Sequence, residues 1–301
     1  MVFQNFDELV AKVKGAPAKK IMAVAAADDE HTLEAVVHAR REGIIEPLLV
    51  GGKAGILEKL AALGETVPED QIFDEPDIAK ASEIAVKLVH DGKANFLMKG
   101  KVDTKILLHE VVNKEYGLGT GRLMSPFTMF KIPSYHKLIL PVDGGMVTYP
   151  DLDQKKQIIQ NTVDTLVAMG YDCPKVGVLA CVEKVNPKMP ESVDAAALQE
   201  MNEKGEITNC IVEGPIQYDC VMRKDIADFK GLNSRIAGDP DVLLVPNIHT
   251  GNILGKTYAI SCGGTMAGFI VGAQCPIVMV SRGSTAEEKY LSIVVSAAAA
   301  K

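Results

Sequence analysis

A serine and an arginine, Ser281 and Arg282, stand where an apolar segment ends and Gly283 begins a turn into a helical stretch. In open α/β sheets, ligands lie at the carboxyl ends of strands. The helix after such a turn offers backbone N–H groups, and a guanidinium offers two parallel donors, so both suit a phosphate group. The pattern predicts a phosphate site at Ser281 and Arg282, although an ordinary turn with an exposed arginine fits the same residues.

Two glutamates follow this turn. Ser284 stands three residues before Glu287, which is the spacing of a capping box, where the glutamate bonds the backbone N–H of the N-cap residue. This spacing predicts a structural role for Glu287 and leaves Glu288 available as a general base. The alternative for Glu288 is a solvated acid that the helix dipole favours.

A second polar loop, Asn247–Asn252, follows the apolar segment Val242–Val245. Three residues separate Gly251 from Gly255, where a phosphate-binding P-loop has four before its Gly-Lys pair, so the spacing argues against a P-loop. A glycine loop whose amides approach a ligand is the better interpretation. The candidate binding residues of this loop are Asn247, Thr250, Gly251 and Asn252.

Basic residues mark two further places. Lys99 and Lys101 follow an apolar strand-like segment and precede a helix, and Arg122 lies where the pattern of the chain changes. Such residues can bind phosphate, and ordinary solvated charge is the alternative. The candidate binding residues here are Lys99, Gly100, Arg122 and Ser125.

The elements that would position these residues alternate between short apolar segments and amphipathic ones, which predicts βαβ units and a mostly parallel sheet. The alternation breaks at Arg122–Phe130 and His136–Pro141, whose link is too short for a crossover helix, so this pair is predicted to be antiparallel. We expect an α/β protein with two doubly wound αβα domains. Their predicted bounds are residues 1–137 plus 276–301 and residues 138–275.

Composition excludes several classes of protein. The chain has 301 residues, 47% of them hydrophobic, so it can bury large cores. A net charge of −7 and the absence of tryptophan argue against a nucleic-acid partner. Six cysteines without a CxxC pair, and six histidines without metal-ligand spacing, indicate neither a disulfide scaffold nor a metal site. With no signal-like or membrane-spanning segment, we expect a cytoplasmic protein without membrane partners.

The same segments resemble the phosphate acetyltransferase and phosphate butyryltransferase family. The resemblance covers nearly the whole chain and rests on the order of four motifs: Met98–Gly100, Glu213–Asp219, Asn247–Asn252 and Ser281–Gly283. Three further segments resemble the butyryl branch in particular, namely Asn113–Gly121, Thr148–Pro150 and Val185–Pro190. Gly144, where the acetyl branch often has cysteine, and Val147, where the butyryl branch has asparagine, depart from the pattern.

This resemblance implies two α/β domains with a cleft between them, as in isocitrate and isopropylmalate dehydrogenases, in a homo-oligomer that needs no metal or prosthetic group. It implies that coenzyme A and inorganic phosphate are substrates, exchanged as acyl-CoA plus phosphate for acyl phosphate plus CoA. Ser281 and Arg282 match the family's catalytic pair, and Glu288 falls where the acetyl branch has an aspartate proposed as the base. The expected activity is that of a phosphate butyryltransferase.

Three alternatives remain open from the sequence. The first is a phosphate acetyltransferase, which differs in acyl length. The second is an NAD-dependent decarboxylating dehydrogenase of the same fold, which would need a metal held by converging aspartates that the sequence does not display. The third is a CoA-binding regulator without catalysis. Binding of CoA rather than NAD, and phosphate-dependent release of the CoA thiol, would separate them.

Overall fold

The computed structural model describes residues 2–280 and 283–301. Their chain folds into two compact units. The first unit holds the described residues of Phe6–Arg122 and Ala267–Lys301, and the second those of Met1–Asn5 and Leu123–Met266. Each unit contains parallel β-sheet with helices between successive strands, so the predicted α/β class is confirmed.

The sheet of the first unit has the strand order β3-β2-β1-β4-β11-β10. Strand β1 is buried along its last four residues and pairs in parallel with β2 and β4. Such a strand reads as a continuous apolar run because helices cover both faces of the sheet. The strands are β1 (Lys20–Ala25), β2 (Ile45–Gly51), β3 (Ile72–Asp74), β4 (Phe96–Lys99), β10 (Thr265–Val271) and β11 (Ile277–Val278).

Side chains cap the first turn of several helices in the first unit. Asp29 accepts the backbone N–H of Thr32 before α2, and Asp77 does the same for Lys80 before α4. The helices are α1 (Phe6–Lys14), α2 (Glu30–Arg41), α3 (Lys53–Ala62), α4 (Ile78–His90), α5 (Thr104–Val111) and α11 (Ala286–Ala299). None of the helices in the described part of the chain is both long and apolar enough to cross a membrane.

The second unit is built on a parallel sheet with the order β6-β9-β7-β8. Its strands are β5 (Ser125–Lys131), β6 (Leu140–Val142), β7 (Lys175–Leu179), β8 (Ile211–Ile216) and β9 (Val242–Leu244). Its helices are α6 (Leu152–Ala168), α7 (Pro190–Glu203), α8 (Tyr218–Met222), α9 (Lys224–Phe229) and α10 (Ile248–Lys256), followed by a π-helical turn at Thr257–Ser261.

Strand β5 leads into β6 through a short turn. Phe130 and Ile139 form an antiparallel bridge in which each backbone N–H donates to the other residue's carbonyl. The predicted antiparallel pair is therefore confirmed. The chain passes between the compact units at 5/6, 122/123 and 266/267, whereas the sequence pattern predicts changes at 137/138 and 275/276. The change at 122/123 precedes the predicted one because β5 contacts β6 and is counted with it.

The sheet of the second unit contains a topological switch point. From β7 the chain runs through α7 to β8, on the far side of β7 from β9. From β9 it runs into α10, which packs against β6 on the other side. Because the neighbouring strands β7 and β9 send their connections in opposite directions, a crevice is expected outside their carboxyl ends.

A buried ion pair fixes the amino ends of this sheet. Lys137 Nζ lies 2.7 Å from Asp241 Oδ1, and both side chains are almost fully buried. Asp241 also accepts the backbone N–H of Lys175 through its other oxygen. Half-exposed Asp239 bonds the ammonium groups of Lys137 and Lys175.

We expect Lys137→Met to lower the free energy of unfolding by about 3–5 kcal/mol, because it leaves the Asp241 carboxylate buried without its ammonium partner. Lys175→Met, at the more exposed end of the cluster, should cost about 0–1 kcal/mol. Urea unfolding followed by circular dichroism measures both losses. Equal losses in the two variants would contradict the assignment of the buried pair.

Candidate functional site

The predicted phosphate residues Ser281 and Arg282 lie outside the described residues. The helix after them, α11, begins with a capping box, but its residues are not the predicted ones. Thr285 is the N-cap, its Oγ1 accepts the backbone N–H of Glu288, and Glu288 Oε2 accepts the backbone N–H of Thr285. The prediction that Ser284 and Glu287 form the box is therefore wrong by one residue. Glu287 is exposed and Glu288 is partly buried.

Lys99 is the last residue of β4 and is nearly buried. Its ammonium donates to the backbone carbonyls of Gly100 and Val102, at 3.3 and 2.9 Å. The side chain therefore bonds to the loop that directly follows it in sequence. Gly100 is required by close packing, because a Cβ there would lie 2.3 Å from the carbonyl oxygen of Ala26. The neighbouring Lys101 lines a small cavity of about 230 Å³ at the carboxyl ends of the first unit's strands.

Arg122 and Ser125 differ in their surroundings. Arg122 is exposed and follows a turn at Gly121, where φ is +79°. Ser125 opens β5 and is fully buried, and its Oγ has no hydrogen-bond partner among the described residues. Buried hydroxyls are normally bonded, so a water or a ligand would supply the partner that this hydroxyl lacks in the described chain.

The four candidates of the second polar loop come together at the start of α10. Asn247 is the N-cap, and its Oδ1 accepts the backbone N–H and the hydroxyl of Thr250. Asn252 lies one turn further on and donates its amide to the carbonyl of Gly144 at 3.3 Å. The structure thus gives Asn247 a helix-capping role and directs Asn252 towards the loop after β6.

That loop is held by Asp143, a residue the sequence analysis did not single out. Its carboxylate is buried and accepts the backbone N–H groups of Gly145, Met146 and Val147 at 2.7 to 3.0 Å. Burial raises the pKa of Asp143, while these three donors act in the opposite direction. The loop lies directly against α10, because a Cβ on Gly251 would be 2.5 Å from the carbonyl oxygen of Asp143.

Gly251→Ala is expected to displace this loop, since the clash is with backbone atoms that cannot rotate away. The cost should be about 1–3 kcal/mol in unfolding free energy. Gly255→Ala on the same helix is the matched control, because its Cβ would meet the Phe130 side chain at 3.2 Å and alanine favours helix. Thermal melts of both variants give the comparison. A Gly251→Ala protein as stable as Gly255→Ala would contradict the close approach.

A cavity of about 750 Å³ lies at the switch point of the second unit. The segments after β7, β8 and β9 line it, as does the start of α7. Three segments that resemble the family, Val185–Pro190, Glu213–Asp219 and Asn247–Asn252, each contribute to its wall. Their lining residues are Met189, Gln217, Tyr218, Asp219 and Thr250.

An ionic network braces this wall. The ammonium of Lys230 bonds Glu183, Asp219 and the amide oxygen of Gln217 at 2.9 to 3.1 Å. Lys230 lowers the pKa of both carboxyls and its own pKa is raised, so the three groups are charged at neutral pH. Gln217 donates in turn to the carbonyl of Cys181 at 2.7 Å. The segment after β7 and the start of α8 are thereby tied together.

Sequence reasoning assigned no role to the residues of this wall other than Thr250. Their position in the sequence could have identified them. Leu179 and Ile216 are the last residues of strands β7 and β8, and wall residues directly follow both strands. Ligand sites in parallel sheets favour such positions. Among the candidates, Thr250 lines the cavity, whereas Lys99 and Gly100 belong to the first unit.

Comparison with known proteins identifies relatives along nearly the full length. A phosphate butyryltransferase of Clostridium acetobutylicum is 39% identical over 296 residues, which cover 98% of each chain. A phosphate acetyltransferase of Thermotoga maritima is 38% identical over 291 residues, covering 97% of this chain and 98% of that protein. A solved structure, a branched-chain phosphotransacylase from Enterococcus faecalis, superimposes with a TM-score of 0.80 at 26% identity, covering 93% of this chain and 98% of that one.

The family described as "Phosphate acetyl/butaryl transferase" matches residues 74–297. The matched range includes both polar loops, the cavity of the second unit and the capping box of α11. The expected family resemblance is thus confirmed, and the chain belongs to the phosphate acetyl/butyryl transferase family.

Proposed function

We propose that the protein is a phosphate butyryltransferase, which converts a short-chain acyl-CoA and inorganic phosphate into an acyl phosphate and CoA. The observation that carries this proposal is the full-length relation to the Clostridium acetobutylicum phosphate butyryltransferase at 39% identity. The phosphate acetyltransferase of Thermotoga maritima, at 38%, makes acetyl transfer the second candidate. The cavity at the switch point supports a substrate larger than phosphate.

The chemistry assigns a role to each candidate residue. In the forward direction, phosphate attacks the thioester carbonyl, and the carbon–sulfur bond breaks to release the CoA thiolate. We propose that Arg282 binds phosphate and the charge that develops on it, and that Ser281 donates to the tetrahedral oxyanion. Glu288 is proposed to take the thiol proton in the reverse direction, where CoA must be ionised to attack the acyl phosphate. This role rests on the family resemblance at Glu288, because the structure gives Glu288, and not Glu287, the bond that closes the capping box.

The remaining candidates are proposed to bind substrate. The buried hydroxyl of Ser125 without a partner in the described chain supports this role for Ser125. Thr250 lines the cavity, and Gly251 and Asn252 follow it on α10. For Lys99, Gly100 and Arg122, the proposed role in substrate binding rests on the family resemblance. Asn247 is proposed to act indirectly, by capping the helix α10 that holds Thr250, Gly251 and Asn252. The protein is further proposed to be a homo-oligomer in the cytoplasm. The molar mass of the purified protein, measured by light scattering, tests the oligomeric state.

The experiment that tests the function follows release of the CoA thiol from acetyl-, propanoyl-, butyryl- and branched acyl-CoA with a thiol reagent. The expected result is release that depends on phosphate and is fastest with butyryl-CoA or a neighbouring chain length. Release without dependence on phosphate would overturn phosphate acyl transfer. A clear preference for acetyl-CoA would replace the butyryl assignment with acetyl.

A further inference from the structure

The cavity of the second unit is much larger than one phosphate or acetyl group needs. Its volume of about 750 Å³ lies within the range of about 300–1,000 Å³ that is usual for pockets holding small organic ligands. Apolar side chains form much of its wall, from the segment after β7, the start of α7 and the segment after β9. They are Leu179, Ala180, Val182, Met189 and Pro246.

The charged groups of the wall disfavour the nucleotide end of CoA. Among the described lining residues, Glu191 and Asp219 are acidic and none is basic. The negative phosphates of CoA would be repelled by these carboxylates, although the ammonium of Lys230 partly neutralises the negative charge of Asp219. The part of an acyl-CoA that suits this wall is therefore its uncharged thioester end.

The polar groups of the wall already bond within the protein. Gln217 bonds Cys181 and Lys230, and the Tyr218 hydroxyl lies 2.9 Å from that of Tyr258. Ser192 Oγ donates to the backbone carbonyl of Met189 at 2.8 Å and accepts the backbone N–H of Asn186 at 2.9 Å. A pantetheine amide would have to displace these bonds, whereas a hydrocarbon chain needs only the apolar surface that remains.

We propose that this cavity is the acyl-chain site of the enzyme, and that the chain lies against the apolar side chains of Val182 and Met189. The inference rests on the proposed function, since it names where the hydrocarbon of the acyl-CoA lies. Each buried methylene contributes about a fourfold gain in affinity. An enzyme with this cavity gains specificity for butyryl over acetyl by burying the two extra methylenes.

The first test narrows the cavity. Val182→Phe is expected to lower kcat/KM for butyryl-CoA about tenfold or more relative to acetyl-CoA, at saturating phosphate. Val182→Ala should shift the preference the other way, towards longer or branched chains. The matched control is Val185→Phe, three residues along the same segment, whose side chain is exposed and does not line the cavity. Equal losses at all chain lengths in Val182→Phe, or the same profile in both phenylalanine variants, would overturn the proposal.

The second test needs no variant and no turnover. Cys181 lines the cavity after β7, whereas Cys173 precedes β7 at the opposite edge of the sheet, and both are exposed. Butyryl-CoA is expected to slow alkylation of Cys181 by iodoacetamide several-fold, and acetyl-CoA less, with Cys173 unchanged in the same peptide maps. Unchanged alkylation of Cys181 would overturn the proposal.

The two tests also separate this inference from the proposed function. Phosphate-dependent turnover with an unprotected Cys181 and an unaltered chain-length profile would leave the function standing and reject the acyl site. Protection of Cys181 by butyryl-CoA without phosphate-dependent turnover would support the acyl site and reject the phosphate transferase.

Discussion

Arg282→Ala is expected to lower kcat for phosphate-dependent release of CoA by about 10²–10³-fold. A methyl group replaces a guanidinium that is proposed to make two charge-assisted hydrogen bonds to phosphate. Interactions made mainly in the transition state have this effect when one donor is removed. Arg282→Lys should recover only part of the loss, because an ammonium is a point charge without the planar fork. Steady-state kinetics with butyryl-CoA and varied phosphate measure both variants.

The control for Arg282 is an arginine on the surface of the second unit. Arg223 is exposed and pairs with exposed Asp225, an ion pair of the kind that contributes little to stability. Arg223→Ala should therefore keep the kcat and the phosphate KM of the wild type. A kcat near the wild-type value in Arg282→Ala would remove this residue from the mechanism.

Glu288→Gln is expected to lower turnover in the acyl-CoA-forming direction by about 10²–10⁴-fold, if turnover needs its carboxylate as a base. The capping box makes this substitution informative. An amide oxygen can accept the backbone N–H of Thr285 as the carboxylate does, so the start of α11 stays intact. A loss of turnover with unchanged thermal stability would then report proton transfer rather than a damaged helix.

The pH profile gives this prediction a second readout. A CoA thiol has a pKa of about 8.5, so solvent ionises more of it unaided as the pH rises. The loss in Glu288→Gln should therefore shrink between pH 7 and pH 9. Glu288→Ala removes the reciprocal bond of the capping box while the Thr285 cap remains, so it should also lose stability, by about 0.5–1 kcal/mol.

Glu287 provides the matched control one residue away. Its side chain is exposed and takes no part in the capping box, so Glu287→Gln should keep stability. It should also keep activity, because the family resemblance assigns the base to Glu288. An inactive Glu287→Gln beside an active Glu288→Gln would transfer the base to Glu287. If both variants kept full turnover, Arg282 and the N-terminus of α11 would have to stabilise the thiolate electrostatically.

Much of the architecture follows from local patterns in the sequence. The alternation of apolar and amphipathic segments identifies the parallel sheets, because strands covered on both faces are apolar along their length. The short link before His136 predicts an antiparallel pair of segments, and the bridge of Phe130 with Ile139 confirms it. Polar residues directly after strands mark Lys99 and the loop at Asn247 as candidates, since carboxyl ends of parallel strands share one edge.

The register of the capping box does not follow from the local sequence. Ser284 and Thr285 are both good N-caps, and each has a glutamate three residues later, so local energies barely separate the two registers. The structure uses the second of the two, with Thr285 as the N-cap and Glu288 as its partner.

The sequence by itself determined the fold class, the family and the segments that carry polar residues. Only the tertiary structure brought the distant segments after β7, β8 and β9 to one cavity and set Gly144 against Gly251. The reason is physical: periodicity and capping act over a few residues, whereas a cavity and a backbone contact depend on how strands far apart in sequence are ordered in a sheet.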